Sequence, residues 1–222
     1  MNNDVRLDGV LWVTIYNRKQ LYEFKKVFAR SANLSNVDAK RWKLTMRKIN
    51  SFKNVMLLKL YFDNELIDTW AVVKLNMIHV SLKNLQTLNE RSEKEFFKED
   101  WFYGIKDRES LLSMLGSVDN GYFNFIPYPT VITKAAYFWY TIATKQMFHN
   151  GNKRTALLTA MFYLQMNGLE FKVKDKESLY NISLSLAKKE MTEKQLVDYI
   201  SKNVLIDFNW MSYVWERITK EK

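Results

Sequence analysis

The residues best suited to chemistry form one run, Gln146-Met147-Phe148-His149-Asn150-Gly151-Asn152-Lys153-Arg154-Thr155-Ala156. Its centre, Asn150 to Arg154, is a small polar turn opening directly onto an apolar-periodic segment, Thr155 to Asn167, that reads as a helix. A helix N-terminus presents backbone N–H groups with no partner a turn earlier, and its dipole favours negative charge. One permissive glycine and two cations at that point complete a site for phosphate. The blander reading is a commonplace Gly-Asn turn followed by two solvated cations.

The elements around this turn are mostly helical. Thr130 is placed to cap a long buried helix through Lys145, with Ile132, Ala135, Ala136, Trp139, Ile142 and Ala143 on its apolar side. Leu157, Leu158, Met161 and Leu164 line the following helix, which Asn167-Gly168 closes. Upstream, Ser81 caps a helix carrying Leu82, Leu85 and Leu88, and Asp107 caps one with Leu111, Leu112 and Leu115. An irregular stretch from Gly116 to Thr130 holds both prolines. Downstream, the spacing predicts helices over Lys176–Lys189 and Thr192–Asn203, then a tail from Asp207 rich in aromatics.

The first 76 residues read differently. Leu11–Tyr16 is β-branched and aromatic and predicts a strand; Lys19–Ala29 predicts a helix. Asn36 or Asp38 is placed to cap a second helix through Ile49, striped by Trp42, Met46 and Ile49. Val55–Phe62 and Thr69–Leu75 predict strands joined by a turn at Asp63-Asn64. The division expected is a basic α+β module over 1–76, a helical domain over 77–205 and an aromatic tail over 206–222.

Composition narrows the chemistry. With 47% hydrophobic residues, six Gly and two Pro in 222, the chain can bury a large core and is not loop-dominated. Absence of cysteine removes disulfides and thiol nucleophiles, and with two histidines, His79 and His149, a structural zinc site is not expected. No signal pattern or long apolar run is present, so a cytoplasmic protein without membrane spans is expected. The net charge of +10 is uneven: residues 1–76 hold 14 Lys/Arg against 7 Asp/Glu, and residues 77–222 hold 20 against 17. Excess positive charge between Lys40 and Lys59 suits nucleic acid or an acidic partner, with a solvated basic face as the alternative. Trp42 and Phe52 lie among those cations and could stack on bases, although their helical spacing suits a core better.

The run resembles the signature of the Fic/Doc (Fido) family, whose Doc branch reads roughly His-x-Phe-x-Asp-x-Asn-Lys-Arg-Thr-Ala. The resemblance extends over about residues 78 to 203 and includes Asp107-Arg108, Leu111-Leu112, Asn120-Gly121-Tyr122, Tyr128-Pro129-Thr130 and Asn167-Gly168. It implies a mainly α fold, a bundle of about six helices, here with a small N-terminal α+β extension. It further implies ATP or another nucleoside triphosphate, with Mg²⁺, at Gly151, Asn152, Lys153 and Arg154. A flap ahead of the long helix, here Tyr122, Phe123, Asn124 and Phe125 up to about Pro127, would hold the protein target. Lys153 after Asn152, and Leu157 where the Fic pattern has a second Arg, resemble the Doc branch (death on curing). Doc is a toxin of toxin–antitoxin pairs that phosphorylates a translation factor, so the resemblance implies such a target and an antitoxin.

Two positions depart from the pattern. Gln146 stands where the family has its catalytic His, and a Gln amide accepts no proton at neutral pH. Asn150 stands where it has a metal-binding carboxylate, which implies weak metal binding. His149 is a substitute base only if the turn brings it round, since three residues on it points elsewhere. The family's inhibitory Ser/Thr-x-x-x-Glu-Gly/Asn motif is missing, because no Glu is followed by Gly or Asn. Three functions follow: an impaired transferase acting on a protein hydroxyl, a pseudoenzyme binding nucleotide or a partner without turnover, or a nucleic-acid-binding protein acting through its first 76 residues.

Overall fold

The computed structural model describes residues 6–14, 17–49, 52–97, 103–120, 125–172 and 175–220. The fold is mainly helical with a small sheet near the N-terminus. Two compact units are present: residues 1–77 with 167–169 and 205–222, and residues 78–166 with 170–204.

The first unit is built on a four-stranded sheet of order β1-β4-β3-β2, from Gly9–Val13 (β1), Trp42–Lys48 (β2), Val55–Phe62 (β3) and Glu65–Lys74 (β4). β1 runs parallel to β4 and the other pairs are antiparallel. The β3–β4 turn is two residues, Asp63 and Asn64, with φ of 48° and 68°, the left-handed geometry that matches strand twist. Helix α1 (Arg18–Ser31), capped by Asn17, buries Phe24, Val27, Phe28 and Ala29, and Phe28 meets Trp70 edge-on at 4.9 Å. The aromatic tail forms helix α8 (Phe208–Lys220), which joins this unit: Trp12 Nε1 donates to the Met211 carbonyl at 3.1 Å. Gly168 (φ +82°) sits beneath that contact, where a Cβ would meet Met211 Cε at 2.7 Å and the Trp12 ring at 3.3 Å.

The helix expected from Asn36 or Asp38 to Ile49 is not formed. Leu34–Asn36 is a single 3₁₀ turn and Trp42–Lys48 is strand β2. Trp42, Leu44 and Met46 alternate with Lys43, Thr45 and Arg47, a period of two that Trp42, Met46 and Ile49 alone disguise as helical. Pairing Leu44 with Leu60 and Met46 with Leu58 places the apolar set on the buried face of the sheet. Tertiary burial decides an ambiguous local pattern.

The second unit is a bundle of six helices among the described residues: α2 (Leu82–Phe97), α3 (Arg108–Asp119), α4 (Val131–Lys145), α5 (Asn152–Met166), α6 (Lys176–Ala187) and α7 (Glu193–Asn203). Two three-residue strands, β5 (Leu169–Phe171) and β6 (Val204–Ile206), pair with each other. The central element is α4, which packs against α3, α5, α6 and α7. Its start is fixed by a Thr130–Thr133 capping box and its inner face by Ile132, Ala135, Ala136, Trp139 and Ile142, all fully buried. Trp139 Nε1 donates to Ser183 Oγ of α6 at 2.7 Å, so the buried indole N–H keeps a partner. Small residues at Ala135, Ala136, Ala156 and Ala160 let α4 and α5 approach closely. Among the described residues no helix is long and apolar enough to cross a membrane.

Candidate phosphate-binding cleft

α4 ends at Gln146 in the left-handed region (φ 50°, ψ 52°), which turns the chain sharply and leaves Gln146 exposed. Met147 and Phe148 then dive into the core, each 1% exposed. The segment is tied to residues 104–107: Lys106 and Asp107 N–H both donate to the Met147 carbonyl, and His149 N–H donates to the Gly104 carbonyl. Phe148 and Ile105 form an antiparallel bridge. The loop is therefore a supported turn with its backbone largely satisfied.

Asn152 closes it. Its Oδ1 accepts from Phe148 N–H and its Nδ2 donates to the Phe148 carbonyl, both at 2.8 Å. Both ends of the amide are used to hold the loop. Gly151 has φ +72°, and a Cβ there would collide with the Glu93 carboxylate and lie 3.1 Å from Ser92 Oγ. Glycine is required both by conformation and by space. Gly151 N–H donates to Asn150 Oδ1 at 2.8 Å, so one loop amide is already engaged by a side chain.

Three polar residues of α2 brace the turn. Asn89, fully buried, donates from Nδ2 to the Asn150 carbonyl and to Thr155 Oγ1, both at 2.9 Å, and accepts from Gly104 N–H at 2.9 Å. Ser92 Oγ lies 3.3 Å from Thr155 Oγ1 and donates to the Asn89 carbonyl. Glu93, 3% exposed, receives Arg154 Nη2 at 2.7 Å. The sequence reading missed all three. Their signal was that the inward stripe begun by Leu85 continues one and two turns later with Asn89 and Ser92, polar residues where a core helix should be apolar.

The result is a cleft of about 360 Å³ lined by Ala143, Gln146, His149, Asn150, Gly151, Asn152, Lys153, Arg154, Tyr180 and Ala187. Its size suits a small-molecule site. The structure brings together every loop residue singled out by sequence and adds Tyr180 and Ala187 from α6, which no local pattern announced. Cationic character comes from Lys153 and Arg154 together with the first turn of α5. Lys153 makes no ion pair among the described residues, whereas Arg154 is held by Glu93.

The flap is described only from Phe125 onward; Tyr122, Phe123 and Asn124 lie outside the described residues. Phe125 and Ile126 are 64% and 49% exposed. Behind them Tyr128 stacks on Tyr137 of α4, centroids 4.0 Å apart. Burial, then the nearby Glu193 carboxylate, pushes the Tyr128 phenol above its usual range.

The donors present do not make a cage for Mg²⁺. Asn150 Oδ1 is taken by the Gly151 amide and the Glu93 carboxylate by Arg154. Among the described residues no three His, Cys, Asp or Glu side chains gather.

No match to a curated protein is found. Residues 76–164 match the model of the Fic/DOC family. The matched segment runs from just before α2 nearly to the end of α5, and so contains the loop, its α2 braces and the central helix. The segment that supplies the cleft's loop is therefore similar to the Fic/DOC family.

Proposed function

We propose that the helical unit is a Fic-type transferase domain of Doc-like character that takes a nucleoside triphosphate into the cleft and acts on a protein hydroxyl. The observation that carries this reading is Lys153, which makes no ion pair among the described residues, beside the Gly151 turn at the α5 N-terminus. Lys153 and the first-turn dipole would neutralise charge on the transferred group. Gly151, at φ +72°, makes the turn that delivers the chain into α5. Asn152 acts by holding the loop in shape.

In phosphoryl transfer the acceptor oxygen bonds to the terminal phosphorus, the bridging P–O bond breaks and the nucleoside diphosphate leaves. In nucleotidyl transfer the same attack falls on the innermost phosphorus and pyrophosphate leaves. Either way the acceptor hydroxyl loses a proton. Gln146 cannot take it, which lowers the rate by about 10²- to 10⁴-fold against a domain with a competent base. His149 lines the same cleft and is the remaining imidazole for that role. The acceptor would be a protein such as a translation factor, with an antitoxin-type partner as restraint and the cytoplasm as setting.

A second reading, a nucleotide-binding pseudoenzyme, is favoured by the Arg154–Glu93 pair, which withdraws one of the two cations from the incoming phosphates. Incubating the protein with α- and γ-labelled ATP, Mg²⁺ and cell lysate separates the two. Slow labelling of a protein band, abolished by Lys153→Ala, is expected for the transferase. Nucleotide binding without labelling, even with Gln146→His, would leave the pseudoenzyme. Binding indifferent to Lys153→Ala removes both.

A further inference from the structure

The first unit carries a separate concave surface. On β2, Lys43, Thr45 and Arg47 share the face opposite to the half-buried Leu44 and Met46. Their cross-strand partners are Tyr61, Lys59 and Leu57. Together with Lys48 and Ile49, the residues Thr45, Arg47, Leu57, Lys59 and Tyr61 line a groove of about 300 Å³.

Its chemistry is one-sided. No Asp or Glu occurs in the sequence between Lys40 and Lys59. Lys43, Arg47 and Lys48 are exposed, and with Lys59 they make no ion pair among the described residues. Because Lys59 lies opposite Thr45, it is the diagonal neighbour of both Lys43 and Arg47, at about 7–8 Å. Lys43 and Arg47 are ~13 Å apart along the strand. The floor is apolar and half-buried, formed by Leu57, Ile49 and the Tyr61 ring. Phe52, in the β2–β3 loop, is 60% exposed.

We propose that this face of the β2–β3 ribbon binds single-stranded nucleic acid, with Lys43, Arg47 and Lys59 meeting successive phosphates and Tyr61 stacking on a base. Charge complementarity selects a polyanion, since three unneutralised cations over so short a span repel one another until counter-charge arrives. The recessed aromatic floor selects a polyanion that also offers flat apolar faces. Single strands have unstacked bases to place there, whereas duplexes keep theirs inside. Of the two aromatics that the sequence places among these cations, Trp42 faces the core with Leu44 and Trp70, and Tyr61 is the aromatic that lines the groove.

The test uses the full chain and fluorescein-labelled mixed-sequence 12-nucleotide RNA and DNA, compared with a hairpin duplex, polyglutamate and phosphatidylserine vesicles. Single strands are expected to bind with an affinity that falls linearly in log–log dependence on salt. Arg47→Ala and Lys59→Ala should each reduce that slope by about one. Tyr61→Leu, which keeps the apolar floor, should weaken binding roughly tenfold at unchanged slope, and Tyr61→Phe should restore it. Lys83→Ala, exposed on α2, should change nothing. Circular dichroism of each variant separates lost contacts from lost fold. Absence of single-strand binding at low salt, indifference to Arg47→Ala and Lys59→Ala, or tighter binding to the duplex, polyglutamate or vesicles would overturn the proposal. None of these readouts involves the cleft, so its transferase reading stands or falls separately.

Discussion

Arg154 reaches back from the first turn of α5 to the buried carboxylate of Glu93, 2.7 Å away, and that same carboxylate abuts Gly151 at the point where phosphate would enter. One acidic side chain thus holds a cation of the site and places negative charge against its backbone cradle. Glu93→Gln keeps the volume and an acceptor for Arg154 while removing the charge. Nucleotide affinity should rise on the order of tenfold, equivalent to ~1.4 kcal/mol. Titration calorimetry with a non-hydrolysable ATP analogue measures it, and an unchanged or weaker affinity would mean the carboxylate does not face the ligand.

Gly151→Ala should be costly for two separable reasons. The left-handed φ of +72° disfavours any Cβ, and the added methyl meets Glu93 and Ser92. Together these predict a loss of about 2 kcal/mol in stability and of nucleotide binding. The double variant Gly151→Ala/Glu93→Ala should regain part of the stability by relieving the steric component. Denaturant unfolding of both variants checks this; a fully additive pair would argue against the contact.

Asn89 satisfies three groups at once: Gly104 N–H, the Asn150 carbonyl and Thr155 Oγ1. Leaving buried polar groups unpaired costs ~1–3 kcal/mol each, though not additively. Asn89→Leu, close in size, should therefore destabilise by about 3 kcal/mol and broaden amide resonances of residues 104 and 150–155. A loss below about 1 kcal/mol would show that the brace is dispensable.

Legibility followed locality. Thr130 to Lys145 was readable because cap, apolar stripe and length agree in one continuous segment, and the helix runs Val131–Lys145. The Asp63-Asn64 turn was readable because those residues tolerate positive φ. β2 was not, because Trp42, Met46 and Ile49 satisfy a helical spacing until Leu44 finds Leu60 across the sheet. The cleft's own loop stood out as a contiguous motif, but Glu93 is 61 residues from Arg154, and no local rule joins them. Likewise Trp12 and Met211, 199 residues apart, meet only through the fold.

Asp107 caps α3 by accepting from Ser110 N–H at 2.9 Å, and that backbone hydrogen bond, more than its side-chain contact with Ser110, holds the carboxyl below its ordinary range. A depressed carboxyl contributes stability that is fully present above its unfolded-state value, near 3.9, and is lost as pH falls through the lower folded value. Asp107→Asn caps without titrating. Thermal melts from pH 7 to pH 2 should show the wild type ahead at neutral pH and its lead shrinking below about pH 4. Parallel curves over that whole span would mean the cap carries no charge-dependent stability.

Gln146 occupies a left-handed position, φ 50° and ψ 52°, at the cleft's edge. Among non-glycine residues His is enriched in this conformation, so Gln146→His should fold without added strain. It also places an imidazole able to accept a proton near neutral pH beside Lys153 and the α5 N-terminus. If the cleft still positions a triphosphate against an acceptor hydroxyl, the variant should transfer label about 10²- to 10⁴-fold faster than the wild type. Nucleotide affinity should change little, because a base acts on the acceptor's proton and not on ground-state phosphate contacts. A rate increase confined to pH above the imidazole's ordinary value, ~6.5, would identify the new group as the acceptor. A folded Gln146→His protein that binds nucleotide yet labels nothing in lysate would favour the pseudoenzyme reading over the transferase.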